Sequence, residues 1–231
     1  MAGTFIDAGI QIKKGHAFSD KRSIGSISFE ECPEPFNFIL SLPQYRTEAL
    51  LENHLKKLNQ GALIRGAKVK HIHKQSNKIK VEFIRTGQAY SVECECLVGC
   101  DGKESIVRKQ AGIEFGGSRY PDTYIMGDFT DTTDFGNDAA VYLTRNGLIE
   151  SFPLNGGMRR WVVKTDTYVE KLHKNDIVEL VMQRINHDLS KASNKMLSSF
   201  GVQKLIAEPM ADDRIALAGD AAHIVSPIGG Q

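Results

Sequence analysis

Residues 95–115 read ECLVGCDGKESIVRKQAGIEF and residues 214–231 read RIALAGDAAHIVSPIGGQ. In the first stretch an apolar run ends at Gly99-Cys100-Asp101-Gly102, Ser105 is placed to cap a short helix over 106–111, and Gly112 to end it. A strand, a sharp turn bearing a carboxylate and a helix start put Asp101 and free backbone N–H groups at a strand's carboxyl end. Open α/β sheets bind ligands there. Taken alone, the same residues also fit a surface Asp-Gly turn. In the second stretch a short strand over 215–218 feeds Gly219-Asp220, so Asp220 sits at another strand end, able to accept hydrogen bonds from ligand hydroxyls. Ala221 and Ala222 are small enough for a flat ligand to approach the backbone. Pro227 cannot continue a helix, and Gly229-Gly230 leave the following amides unshielded.

Working outward, TEALLENHLKKLNQG (47–61) reads as an amphipathic helix with Leu51, Leu55 and Leu58 on one face and Thr47 as N-cap. Strand patterns follow at 62–74, 78–84 and 89–98, with Val92, Cys94, Cys96 and Val98 alternating. The short turns Ser76-Asn77 and Thr86-Gly87 between them imply an antiparallel meander. Further strands read at 124–129, 139–143, 148–153 and 160–164, and a helix at 176–189 with Asp176 as its possible cap. This order implies a mixed α/β (α+β) chain: a nucleotide-type domain over 1–118, a β-rich domain over 119–205, and a return to the first over 206–231.

The 231 residues carry a formal net charge of +1, with 25% charged and 41% apolar residues, a composition that disfavours disorder and a nucleic-acid partner. No apolar run approaches the roughly 18 residues of a membrane helix, and the opening residues hold no signal-peptide core, so a cytoplasmic location without membrane contact is expected. The four cysteines, Cys32, Cys94, Cys96 and Cys100, match neither zinc spacing nor a disulfide framework and read as buried or half-buried strand thiols. His71-x-His73 puts two imidazoles on one strand face with no third ligand in sight, so no metal is expected.

The two Asp segments together resemble the FAD-dependent aromatic hydroxylases, the flavoprotein monooxygenases of the p-hydroxybenzoate hydroxylase fold. LVGCDGKESIVRKQAGI is similar to that family's Asp-Gly motif, and LAGDAAHIVSPIGGQ to its Gly-Asp motif. LSLPQYRTEALLENHL (40–55) is similar to the segment in which a Gln after Leu-Pro approaches the flavin. The resemblance implies an FAD-binding Rossmann-like domain interrupted by a β-sheet substrate domain. It implies cofactor contacts from Gln44, Asp101, Gly102, Arg108, Gly219, Asp220, Pro227, Gly229 and Gly230. Of these, Asp220 would take ribityl hydroxyls, and Arg108 would touch cofactor or pair with a carboxylate. It also implies FAD reduced by NAD(P)H, O2 as co-substrate and a small aromatic substrate, with the oxygen chemistry belonging to the cofactor and no dedicated catalytic side chain. Within the β-rich part, Tyr142, Phe152 and Trp161 could form an apolar wall or ordinary core, and Arg159-Arg160 an anion contact or an exposed strand start.

A dinucleotide site also needs a Gly-x-Gly-x-x-Gly turn after an early strand, which these residues lack. The resemblance places that unit ahead of residue 1 and a further helix after Gln231. The expectation is therefore a fragment that alone binds FAD weakly or not at all. The single Trp161 argues against a halogenase with a paired-Trp motif. A quinone- or isoprenoid-pathway flavoprotein and a non-catalytic remnant stay open as alternatives.

Overall fold

The computed structural model describes residues 1–19 and 22–225. The chain divides into two compact units, residues 1–60 with 122–201, and residues 61–121 with 202 onward. Strands Glu114–Thr130 and Asn194–Glu208 each run from one unit into the other.

The first unit is built on a sheet in the order Glu114–Thr130, Met158–Thr165, Gly147–Leu154, Ala139–Thr144, Lys14–Ser19, Arg22–Ser28. The period-2 pattern puts Ile125, Phe129, Ile149, Trp161 and Val163 on one side, where helix Lys174–Ile185 covers them with Ile177 and Val181. Asp176 accepts from the His173 backbone N–H at 2.7 Å, so it closes the helix start from within the first turn and His173 is the cap. Trp161 is a core residue, 1% exposed, and Tyr142 stacks between it and Phe18. The Arg159-Arg160 pair is not an exposed strand start. Arg159 is wholly buried and paired with Asp131 at 3.0 Å, and Arg160 grips Asp128 through Nε and Nη2 at 2.7 and 3.0 Å.

Residues 1–60 join this unit, whereas the sequence reading grouped them with 61–118. The cause is a non-local pairing: strand Lys14–Ser19 lies parallel to Ala139–Thr144, with Gly15 opposite Ala139 and Phe18 opposite Tyr142. The Ser41 hydroxyl also donates to the Pro153 carbonyl at 2.6 Å. Helix Gln44–Leu58 starts ahead of Thr47, with Pro43 as its N-cap at ψ 138°. Its apolar stripe of Leu51, Leu55 and Leu58 is exposed.

The second unit holds the expected meander, Ala67–Lys74, Ile79–Arg85 and Gln88–Cys94, all antiparallel. Thr86 and Gly87 both take positive φ, 51° and 80°, as a two-residue hairpin turn requires. The expected strand over 89–98 splits: Gln88–Cys94 stays in the meander, and Leu97–Gly99 pairs in another sheet. As a result Val92 and Val98 are exposed, as are Cys32, Cys96 and Cys100; Cys94 alone is half-buried, and burial raises its thiol pKa. Ile79 and Val81 pack with Val107, Ile113, Ala207, Ile215, Leu217, Ala221 and Ala222 to form this unit's core. Among the described residues no helix is long and apolar enough to cross a membrane.

Candidate cofactor site

Strands Leu97–Gly99 and Ile215–Leu217 pair in parallel with Gly99 opposite Leu217, and the Ala218 N–H donates to the Gly99 carbonyl at 2.9 Å. This register carries Asp101-Gly102 and Gly219-Asp220, separated by more than a hundred residues in the chain, past the carboxyl ends of adjacent strands. Gly99 permits the packing beneath them: a Cβ there would lie 2.7 Å from Val107 Cβ and 3.0 Å from Leu217 Cδ2.

Beyond the first strand the chain turns through Gly102, at φ 78°, into helix Ile106–Ala111. Ser105 caps it by accepting from the Arg108 N–H at 2.9 Å, and Gly112 closes it in the left-handed conformation at φ 73°. Asp101 supplies the rest of the cap. Its carboxylate accepts from the Ser105 hydroxyl, from Ile106 N–H at 2.7 Å and from Val107 N–H at 3.1 Å. Burial would raise its pKa, but these hydrogen bonds from Ser105, Val107 and Ile106 together outweigh it and hold the carboxyl below the usual aspartate value. The expectation of free amides at this helix start is therefore overturned: Asp101 and Ser105 take the N–H groups of the first turn, because uncapped donors there are costly.

Arg108 is 4% exposed and, among the described residues, bonds to backbone carbonyls and not to a carboxylate. Nη1 donates to the Ala221 carbonyl at 2.9 Å, Nη2 to the Lys103 carbonyl at 2.6 Å, and the guanidinium lies 3.7 Å from the Phe115 ring centre. It ties the two Asp segments together. Ala221 and Ala222 likewise face the core, so their small size serves packing in place of the close ligand approach read from the sequence.

Gly219, at φ 57°, opens the short 3-10 turn Gly219–Ala221. Asp220 in that turn is exposed, and its carboxylate has no partner among the described residues. A Cβ on either Gly102 or Gly219 would meet nothing within 4 Å. Both glycines are thus required by backbone conformation and border open space. His223, exposed, pairs in a short strand with Ile206. Gln44, the first residue of its helix, belongs to the other compact unit and donates to Glu48 at 2.9 Å. Pro227, Gly229 and Gly230 lie outside the described residues. Arg108's bridging contacts were not legible in the sequence; an arginine inside an otherwise apolar helix face was the available signal.

The chain matches the FAD binding domain family over residues 6–231, and it belongs to that family. It is 32% identical over 234 residues to the uncharacterized aromatic compound monooxygenase YhjG of Bacillus subtilis, covering 98% of this chain and 46% of that protein. It is 30% identical over 203 residues to the rifampicin monooxygenase of Streptomyces venezuelae, covering 84% and 42%. The structure of the anhydrotetracycline hydroxylase OxyS from Streptomyces rimosus superposes with a TM-score of 0.74 at 28% identity, covering 98% and 46%. The chain thus spans about half the length of the curated relatives it matches. By name these relatives are monooxygenases or hydroxylases, of an aromatic compound, rifampicin and anhydrotetracycline, and the mixed α/β fold with several sheets is shared with OxyS.

Proposed function

We propose that this chain belongs to an FAD-dependent aromatic hydroxylase that uses NAD(P)H and O2 on a small phenol-like substrate. The observation that carries the reading is the parallel register of Gly99 with Leu217, which sets Asp101-Gly102 beside Gly219-Asp220 at one sheet end. The residues present fit a flavin nucleotide there: an exposed, unpartnered Asp220 carboxylate suits ribityl hydroxyls, and two left-handed glycines border open space. Asp101 and Arg108 act from beneath, Asp101 by fixing the helix start and Arg108 by fixing the Ala221 carbonyl.

When bound, the flavin supplies the redox chemistry that activates oxygen for transfer to the ring. The chain's own residues bind and orient, and none is assigned proton transfer. In this reading Gln44 and the Pro227, Gly229 and Gly230 segment contribute further cofactor contacts. The test is to purify the complete protein, record flavin absorbance, and assay NAD(P)H oxidation with a panel of phenols while identifying products. Bound flavin and substrate-stimulated formation of a hydroxylated phenol are expected; a folded protein without flavin, or oxidation that yields only hydrogen peroxide with every phenol, overturns it.

A further inference from the structure

The link from the meander to the strand ahead of Asp101 holds two thiols, Cys94 and Cys96, separated by Glu95 alone. Cys94 closes strand Gln88–Cys94 opposite Ile79, and Leu97, directly after Cys96, opens strand Leu97–Gly99 opposite Ile215. The thiols therefore stand on either side of the crossing from one sheet to another. Two residues apart on a straight strand, Cα atoms are about 6.6 Å from each other, near the upper limit of roughly 6.8 Å that a disulfide spans. The chain bends at Glu95, which brings the pair closer than that. Arg214 fixes the bend: its Nη1 donates to the Glu95 carbonyl at 3.4 Å, and its own carbonyl accepts from the Leu97 N–H at 2.9 Å.

The two sulfurs differ in their surroundings. Cys96 is exposed, whereas Cys94 is half-buried against the core of the second unit and its thiol donates to the Ile79 carbonyl at 3.6 Å. Burial, with the nearby Cys96 thiol adding to it, raises the Cys94 pKa. Cys94 thus keeps its proton and is shielded, while Cys96 meets a dissolved oxidant first. An accessible thiol beside a second, sheltered one is the arrangement in which a first oxidation is resolved as a disulfide.

We infer that Cys94 and Cys96 are a reversible redox pair, oxidised by a small peroxide to an intramolecular disulfide. The Cys96 sulfur takes one oxygen from hydrogen peroxide: the O–O bond breaks, the sulfenic acid forms and water leaves. The Cys94 sulfur then attacks the Cys96 sulfur, an S–S bond forms as the S–O bond breaks, and the Cys94 proton leaves with the oxygen as a second water. Together the two thiols give up two electrons, and the peroxide is reduced to two waters. A dithiol restores the pair by exchange. The bond closes a ring across Glu95 and so locks the bend through which the chain passes toward Asp101.

The experiment uses the purified, reduced protein and hydrogen peroxide alone. Proteolytic cleavage after Glu95 without reductant should leave the Cys94 and Cys96 peptides joined, about 2 Da lighter than the two reduced peptides together. In the Cys32→Ser/Cys100→Ser variant, which keeps only Cys94 and Cys96, both thiols should disappear on oxidation and return with dithiothreitol. In the Cys94→Ser variant Cys96 should instead gain about 16 or 32 Da, as sulfenic or sulfinic acid. Circular dichroism checks that each variant stays folded, and the joined peptides are read on the unaltered chain. Thiols that survive peroxide, a Cys96–Cys100 bond in the unaltered chain, or a disulfide between two chains overturns the assignment.

Discussion

Arg108 Nη1 donates to the Ala221 carbonyl oxygen across 2.9 Å, joining the helix that follows Asp101 to the turn that carries Asp220. Because Nη2 reaches the Lys103 carbonyl as well, one buried guanidinium holds both sides of the proposed flavin site in register. Removing it strands two carbonyls without their donor. Arg108→Ala is expected to cost about 3 kcal/mol, seen as a lower urea midpoint at unchanged m-value. Arg108→Lys should recover only part of that, since a single ammonium cannot reproduce the fork. An Ala variant as stable as the parent would show that the bridge contributes nothing.

Asp101 makes stability depend on pH in a defined direction. Its pKa is lower in the folded chain than the roughly 3.9 of an unfolded aspartate, so the unfolded state binds the proton more readily. The stabilisation is complete above the unfolded value and is lost as pH falls through the folded one. Asp101→Asn should lower stability by about 1 kcal/mol at neutral pH and flatten the acid limb of a denaturation series below about pH 5. Parallel acid limbs for the two proteins would refute the capping role.

Asp220 and Gly219 separate binding from folding. Asp220→Ala should leave the thermal midpoint unchanged, because the side chain is exposed, while weakening FAD binding by the complete protein about tenfold, one charge-assisted hydrogen bond's worth. Gly219→Ala meets no clash but forces a Cβ into φ 57°, costing about 1–2 kcal/mol of stability. Flavin fluorescence titration and thermal melts read the two effects, and equal FAD affinity in parent and Asp220→Ala would contradict the assignment.

Tyr142 gives an alkaline signature. Burial pushes its phenol up to about 12, with the Arg159 charge opposing, whereas an unfolded tyrosine titrates near 10. The unfolded state therefore loses its proton first, and stability should decline as pH rises from about 10 toward 12. Absorbance at the tyrosinate band should show Tyr142 and Tyr124, both raised by burial, titrating late, and Tyr142→Phe should remove its own share of the late step and of the alkaline decline.

Much of the cofactor side was written locally. The Ser105 cap, the Gly112 stop, the antiparallel meander with its Thr86-Gly87 turn and the strand ahead of Gly219-Asp220 each depend on neighbours within a few residues, where capping and turn chemistry act. The resemblance to flavin hydroxylases rested on those same short segments, and the family match agrees with it. Other assignments were left open or overturned for a common reason. Trp161, Arg159 and the two alanines have identities that suit either a site or a core, and only neighbours from distant segments decide between them.

The sequence by itself determined where the chain caps, turns and alternates, because those features cost or gain free energy through bonds between near neighbours. Tertiary structure alone decided that strand Lys14–Ser19 pairs with the strand at Ala139–Thr144, that Arg108 bridges to Ala221, and that Glu82 faces His73. Each of these joins residues through strand register or a buried side chain. Register is selected by which apolar faces can be covered together, a property of the whole chain that no local window contains.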